Sequence, residues 1–303
     1  MEPETRYDAG GWDDAPVVDF HIHCPGEQGG NSMKPEHQDL IHKLNTELSS
    51  EERNAFHAGI QDPIYLRDHL KSQGVSYGVI LADIAPATTG VMTNERVGEF
   101  CRDVPELIPF ACLNPFMHHD MSGMLERLVQ EYGFKGLKLL PPYQHFYPND
   151  ARMYPAYAKA QQLGLPVMFH TGLSMVTNTR VKYADPLLLD DVAIDFPELK
   201  IIMSHSGRGV WYEQAFLMAT LPENVYMEIT GLPPQNLLTY FPKLDRMLDK
   251  VIFGTDFPQI INTSKNIELI KQLPFPPQEI KKILGLNALK VLPPLGSDAP
   301  AAR

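Results

Sequence analysis

Cysteine is scarce in this 303-residue chain, and long apolar runs are missing. The three cysteines, Cys24, Cys101 and Cys112, form no C-x-x-C pair, which argues against a disulfide framework and against a structural zinc cluster. No stretch of about 18 apolar residues occurs, so no transmembrane helix is expected. The first 14 residues are acidic and polar, unlike a signal peptide, and we therefore expect a cytoplasmic location.

Positive charge is also in short supply. The chain has 26 Lys and Arg against 37 Asp and Glu, a formal net charge of −11, which argues against nucleic acid or an anionic membrane as a partner. A hydrophobic content of 44% and a charged content of 21% are ordinary for a globular protein. The expected partner is a small-molecule substrate, and homo-oligomerisation is left open.

Short apolar strands, each followed by a helical pattern, occupy most of the chain. The eight predicted strands cover residues 17–23, 75–84, 107–114, 134–140, 165–170, 199–205, 225–230 and 251–256. This rhythm predicts an α/β fold, a (β/α)8 TIM barrel over residues 16–292 in a single domain. The competing open doubly wound sheet would carry a glycine-rich loop after its first strand, where this chain reads HIHCPGE. We expect flexible ends at 1–15 and 293–303, and a long insertion at 24–62 that forms a lid.

The first strand ends in two histidines separated by one residue, in the motif VVDFHIH. Because side chains alternate along a strand, His21 and His23 point to the same side, with Asp19 one step deeper on that face. Two imidazoles so placed can share a metal ion. The alternative for an isolated H-x-H motif is a pair of hydrogen-bonded interior histidines.

Three further strands also end in residues that bind metals. His170 follows the fifth strand, His205 the sixth and Asp256 the eighth. A parallel barrel brings these strand ends to one rim, although a strand-end Asp is often only a cap for the next helix. Nitrogen and oxygen ligands of this kind suit a divalent ion, Zn²⁺ first, with Mn²⁺, Fe²⁺ or Co²⁺ as alternatives.

The motifs VVDFHIH, GFKGLKLLPPYQHFYPND, LPVMFHTG, IIMSHSG, VIFGTDFP and ILGLNALKVL run in order from about residue 19 to 292. In this the chain resembles the amidohydrolase superfamily of metal-dependent TIM-barrel hydrolases. The resemblance is to its amidohydrolase 2 branch, which is related to the aminocarboxymuconate semialdehyde decarboxylase group. The resemblance implies that His21, His23 and His170 bind metal, and that Asp256 binds metal or takes a proton. It implies that His205 binds metal or orients the substrate.

Lys138, at the end of the fourth strand, has three possible roles. Some members of the superfamily carry a carbamylated lysine there that bridges two metals. A free ammonium could instead bind a substrate carboxylate, or pair with Asp19 or Asp256. We therefore expect one metal and leave a second one open.

The chemistry expected from these residues is hydrolysis of an amide, lactone or related carbonyl compound. The metal would activate water, Asp256 would accept its proton and return it to the leaving group, and His205 would support the oxyanion. The runner-up is non-oxidative decarboxylation of an aromatic or unsaturated acid. Decarboxylases of aromatic acids in this family often begin with Glu-x-His, so HIH disfavours them modestly. A third hypothesis is a non-catalytic barrel that keeps a metal or a small ligand.

Substrate recognition is assigned to polar and aromatic residues that follow strands four and six. These candidates are Gln144, Arg208 and Trp211. Arg208 could bind a carboxylate through two parallel hydrogen bonds, although an exposed arginine at a helix start is an equally good interpretation.

Overall fold

Eight parallel strands form the centre of the molecule in a computed structural model that describes residues 15–26 and 49–295. The sheet order is β1-β2-β5-β6-β7-β8-β9-β10, and the antiparallel pair β3-β4 stands apart from it. The strands are β1 (Val18–His23), β2 (Tyr77–Leu81), β3 (Asp83–Ala85), β4 (Gly90–Met92), β5 (Leu107–Cys112), β6 (Gly136–Leu139), β7 (Val167–His170), β8 (Ile201–Ser204), β9 (Val225–Glu228) and β10 (Val251–Ile252). The backbone N–H of Phe20 donates to Phe253 O at 3.0 Å, and that of His23 to Phe257 O at 2.8 Å, so β1 meets the segment after β10. The predicted TIM barrel is confirmed.

Helices connect successive strands of the barrel, which is the arrangement that parallel strands require. The α-helices are α1 (Ser50–Gly59), α2 (Pro63–Ser72), α3 (Asn94–Cys101), α4 (Met121–Tyr132), α5 (Pro141–Gln144), α6 (Tyr154–Gln162), α7 (Asp190–Asp195), α8 (Tyr212–Thr220), α9 (Leu237–Tyr240), α10 (Thr263–Lys271), α11 (Pro277–Lys281) and α12 (Asn287–Val291). Their ends carry the expected signals; Asp62, for example, caps α2 through the backbone N–H groups of Ile64 and Tyr65. None of the described helices is long and apolar enough to cross a membrane.

The insertion predicted at 24–62 is described only in part. Residues 27–48 lie outside the described residues. Of the ends predicted to be flexible, at 1–15 and 293–303, only residues 15 and 293–295 are described. The described part contains α1, whose N-terminus is closed by a capping box between Ser49 and Glu52. Its role as a lid remains a prediction.

Two elements depart from the sequence prediction. The strand predicted over 75–84 ends at Leu81 in the barrel, and the chain continues as the β3-β4 hairpin at the rim. The helical pattern expected after the seventh strand is instead, over residues 234–248, a series of short turns around α9. Pro242 interrupts it because a proline has no N–H to donate within a helix.

An irregularity in β1 decides which of its side chains face the barrel interior. Phe20 packs edge-on against Phe110, with ring centroids 5.4 Å apart, in an apolar cluster to which most barrel strands contribute. The pairing register with β2 shifts between Asp19 and Ile22, so His21 faces the interior as well. Asp19 therefore does not share the face of the histidines, contrary to the prediction from strict alternation.

Candidate metal centre

A cavity of about 1030 Å³ opens at the carboxyl ends of the barrel strands. Its lining includes all the residues predicted to bind metal or to act in catalysis, together with Lys138 and Arg208. These residues are His21, His23, His170, His205 and Asp256. The barrel thus brings together groups that lie up to 235 positions apart in the sequence, as the predicted topology requires.

Asp256 and the first two histidines form the tightest cluster in this cavity. Oδ1 of Asp256 lies 3.3 Å from Nε2 of His21 and 3.2 Å from Nε2 of His23. The three ligand atoms lie within 4.8 Å of one another, close enough to share one ion. Asp256 is placed by a backbone of positive φ (71°), and its N–H donates to His21 O at 3.1 Å.

Asp19 holds in place the two backbone segments that carry this cluster. Its buried carboxylate accepts hydrogen bonds from the Thr255 N–H at 3.0 Å, the Thr255 hydroxyl at 2.5 Å and the His21 N–H at 3.1 Å. It therefore ties β1 to the segment that carries Asp256. Burial raises the pKa of Asp19 to about 7, although these three donors oppose the rise.

His170 and His205 complete the group from the opposite side, with ring centroids 4.5 Å apart. Nδ1 of His205 lies 3.0 Å from Thr230 O, an atom that only accepts, so this nitrogen carries the proton and Nε2 presents a lone pair. Nε2 of His170 is buried and has no hydrogen-bond partner among the described residues. Buried polar atoms are normally paired, and a metal ion would supply the partner that His170 lacks.

Burial keeps these imidazoles neutral, which is the form that binds metals. It lowers the pKa of His21 to about 4, with Lys138 adding to the effect. Burial likewise holds the pKa values of His170 and His205 well below the usual range. Burial opposes ionisation of Asp256, but the surrounding histidines outweigh it and hold the pKa of this carboxyl well below its usual range. A set of imidazoles and one ionised carboxylate fits a divalent cation.

Glu228, at the end of β9, is a residue that sequence reasoning missed. Its fully buried Oε2 lies 3.4 Å from Nδ1 of His21 and accepts from the Ser204 hydroxyl and the His205 N–H, each at 3.2 Å. A carboxylate that accepts a hydrogen bond from one ring nitrogen of a histidine keeps the proton on that nitrogen. The other nitrogen is then free to bind a metal, and the ring is held in one orientation. The signal was present, because the seventh strand also ends in a polar residue (VYMEIT). Gly254 permits the approach, since a Cβ there would lie 2.3 Å from Oε1 of Glu228.

Lys138 is buried beside the cluster, and its Nζ donates to the Ser204 hydroxyl at 2.7 Å. Among the described residues it makes no ion pair, so of the three alternatives for Lys138 the pairing with Asp19 or Asp256 is not observed. Burial lowers its pKa to about 8, against the opposing charges of Glu228 and Asp256. The Ser204 hydroxyl in turn lies 3.1 Å from Nδ1 of His21, which links the lysine to the candidate metal ligands.

The three predicted substrate-binding residues occupy different environments. Arg208 lines the cavity, and its Nε and Nη2 donate to Leu173 O at 3.2 and 3.0 Å. Trp211 does not line the cavity. Gln144 also lies outside it, and its side chain donates to Ile84 O at 3.0 Å and to Leu113 O at 2.9 Å. Substrate binding by Trp211 and Gln144 stays a prediction.

Tyr143 is a further cavity residue that sequence reasoning did not single out. Its ring stands edge-on to His170 with centroids 4.7 Å apart, and its hydroxyl lies 2.6 Å from the Ser174 hydroxyl. It therefore contributes both an apolar wall and a polar group next to the orphaned histidine. Nothing in the sequence distinguishes it from the other tyrosines.

Comparison with known proteins agrees with this geometry. The profile of the family described as Amidohydrolase matches residues 18–293, so the chain belongs to the amidohydrolase family, in its amidohydrolase 2 branch. A 2-keto-4-carboxy-3-hexenedioate hydratase from a Sphingobium strain is 32% identical over 127 residues, which is 36% of this chain and 37% of the relative. The chain thus matches little more than a third of that relative's length.

Two solved structures share the fold over nearly the whole chain. An uncharacterised TIM-barrel protein from Bordetella bronchiseptica has a TM-score of 0.72 at 21% identity, covering 91% of this chain and 98% of that one. A 5-carboxyvanillate decarboxylase from Novosphingobium aromaticivorans, complexed with manganese and 4-hydroxy-3-methoxy-5-nitrobenzoic acid, has a TM-score of 0.65 at 14% identity. It covers 94% of this chain and 98% of that one. At these identities the likeness shows the fold.

Proposed function

We propose that this protein is a metal-dependent hydrolase of a small carbonyl compound that carries a carboxylate, such as a lactone, an ester or an amide. The observation that carries the proposal is the cluster of Asp256 Oδ1 with the Nε2 atoms of His21 and His23, beside the unpaired Nε2 of His170. His21, His23, His170 and Asp256 would hold the ion, for which Zn²⁺ is our first choice and Mn²⁺, Fe²⁺ or Co²⁺ the alternatives.

A divalent ion held there would lower the pKa of a bound water toward 7 and polarise the substrate carbonyl. Asp256 takes the proton of the attacking water, because the surrounding histidines keep its carboxylate ionised. His205 offers the lone pair of Nε2 and orients water or substrate through it. Neutral His205 has one ring proton, which Nδ1 donates to Thr230 O. Its Nε2 therefore has no proton with which to stabilise an oxyanion.

Cations in the cavity support a substrate that carries a carboxylate. Lys138 and Arg208 line it, although the whole chain has a net charge of −11. Arg208 makes no ion pair among the described residues, so an incoming carboxylate would meet a guanidinium that no protein carboxylate has neutralised. Because field lines concentrate in clefts, these cations attract anions despite the acidic surface.

Decarboxylation is the second candidate, favoured by one observation. The manganese-containing decarboxylase shares the fold along almost its whole length, and the cationic cavity would bind its class of aromatic acid equally well. The relative named as a hydratase supports chemistry in which water is activated, and this agrees better with hydrolysis.

A substrate panel on metal-loaded and chelator-treated protein tests the proposal. The panel contains lactones and monoesters of dicarboxylic acids, and aromatic carboxylic acids monitored for CO₂ release. We expect ester or lactone hydrolysis that disappears with the metal and returns on adding Zn²⁺ or Mn²⁺. Release of CO₂ without hydrolysis would favour the second candidate, and activity indifferent to chelation would overturn both.

A further inference from the structure

Asp83 is a buried carboxyl group in the wall of the cavity that the reaction described so far does not use. It begins β3, directly after the chain leaves the barrel at the end of β2. Its side chain borders the cavity and is only 3% exposed. In the part of the chain that the structure describes, its Oδ1 is buried without a hydrogen-bond partner. Such atoms are rare in folded proteins and often mark a place where a ligand completes the bonding.

The hairpin that carries Asp83 is held rigidly against the barrel. Ile84 O accepts hydrogen bonds from Asn114 Nδ2 at 2.9 Å and from Gln144 Nε2 at 3.0 Å. The Ile84 N–H donates to the Cys112 sulfur at 3.4 Å. Side chains from β5, from the loop after it and from α5 therefore fix the residue next to Asp83. A carboxyl group in a fixed position can act on a bound substrate with the accuracy that proton transfer needs.

The charged surroundings of Asp83 differ from those of Asp256. Burial raises the pKa of Asp83, and the nearby Thr89 hydroxyl, His23 and Lys138 oppose the rise without cancelling it. The thiol of Cys112 and the phenol of Tyr143 are also titratable neighbours of Asp83, and burial raises the pKa of each so that both stay neutral. A raised pKa shifts this carboxyl group toward its protonated form, the one that can donate a proton.

We propose that Asp83 is a catalytic general acid, which donates its proton to the atom that leaves the substrate. The inference rests on the proposed hydrolase function and deepens it. The water oxygen forms a bond to the carbonyl carbon, and its proton passes to Asp256. The bond from that carbon to the leaving oxygen then breaks. The leaving oxygen keeps the electron pair and takes the proton of Asp83, which gives a carboxylic acid and an alcohol. Transfer of one proton through solvent from Asp256 to Asp83 resets the site.

Asp83→Asn tests this role, because the amide keeps the shape of the carboxyl group but cannot act as the acid. The probes are monoethyl glutarate, whose ethoxide must be protonated to leave, and mono-p-nitrophenyl glutarate, whose nitrophenolate leaves unprotonated. We expect kcat for the ethyl ester to fall about 100- to 10,000-fold, and kcat for the nitrophenyl ester to change by less than about threefold. Equal losses on both esters would overturn the proposal, since a structural role lowers both alike.

Thr88→Val provides the matched control on the same hairpin. The Thr88 hydroxyl donates to Tyr143 O at 3.2 Å and does not line the cavity, so any loss in this variant should be equal on the two esters. If the unaltered protein hydrolyses neither ester, the proposed hydrolase function fails, and the leaving-group step fails with it.

Infrared spectroscopy tests the protonation of Asp83 without reference to turnover. At a pH of about 5.5 an ordinary aspartate is ionised, so the difference spectrum of the unaltered protein minus Asp83→Asn should contain one protonated carboxyl band. Buried Asp19 contributes equally to both spectra and cancels. Absence of that band would overturn the assignment of Asp83 as an acid, whatever the kinetics.

Discussion

Glu228→Gln is the substitution whose effect follows most directly from the site. Both oxygens of this carboxylate accept hydrogen bonds. Oε2 accepts from His21 Nδ1, the Ser204 hydroxyl and the His205 N–H. Oε1 accepts from the N–H and the hydroxyl of Thr230. A glutamine of the same shape must turn its NH₂ toward one of these two sets of donors. The variant therefore loses acceptors in either orientation. When the NH₂ faces His21 the ring loses its partner, and when the amide oxygen faces His21 the ring keeps only a neutral acceptor, which is weaker than the carboxylate.

The expected cost is a weaker metal site. Partners behind a metal ligand typically contribute 10- to 100-fold to metal affinity, which corresponds to about 1.4 to 2.8 kcal/mol. Donors left unsatisfied in a buried site also lower the free energy of unfolding by about 1 to 3 kcal/mol. We expect the affinity for Zn²⁺ or Mn²⁺, measured by competition with a chromogenic chelator, to fall about 10- to 100-fold. Denaturant unfolding of the metal-free protein should report the loss of about 1 to 3 kcal/mol in the free energy of unfolding.

Asn224→Ala is the matched control for a loss of stability alone. Its Nδ2 donates to the carbonyls of Ala193, Phe196 and Leu199 at 3.3, 3.0 and 3.0 Å, at the amino ends of the strands and away from the metal centre. This variant should be destabilised with its metal affinity unchanged. Unaltered metal affinity in Glu228→Gln, or an equal loss in both variants, would refute the assignment of Glu228 as the partner of His21.

Three further predictions address the ion, the proton and the substrate. Purified protein should contain about one equivalent of a divalent transition metal by elemental analysis, and His170→Ala should lower its affinity; protein without metal whose activity ignores chelators would contradict the site. Asp256→Asn should reduce kcat by about 100- to 10,000-fold, some 3 to 5 kcal/mol, because an amide cannot take the proton, whereas near-normal turnover would place the proton elsewhere. Burial lowers the pKa of Lys138 to about 8, so its ammonium is lost as pH rises through that value. The KM of an anionic ester should therefore rise above pH 8, and Lys138→Met should have a high KM without this pH dependence; a pH-independent KM in the unaltered protein would remove Lys138 from substrate binding.

The fold could be predicted from the sequence because its signals are local. Eight apolar strands alternate with helical patterns, an order typical of a closed parallel barrel, and the absence of a glycine-rich loop after the first strand disfavours the open doubly wound sheet. The candidate metal ligands were proposed by the same logic. His21, His23, His170 and Asp256 each stand at or just after a strand end, and parallel strands place all such ends at one rim.

What the sequence could not determine depends on contacts between distant segments or on backbone irregularity. Strict alternation placed Asp19 beside the histidines, but a shift in the register of β1 turns it toward Thr255, 236 positions away. Glu228 lies 207 positions from His21, and no local spacing indicates that their side chains meet. Asp83 was part of an apolar strand in the prediction, and only the hairpin at the rim makes it a cavity residue. The sequence by itself determined which strand ends carry the candidate ligands. The tertiary structure alone decided which buried groups orient those ligands, because hydrogen-bond partners in a barrel are neighbours in space and not along the chain.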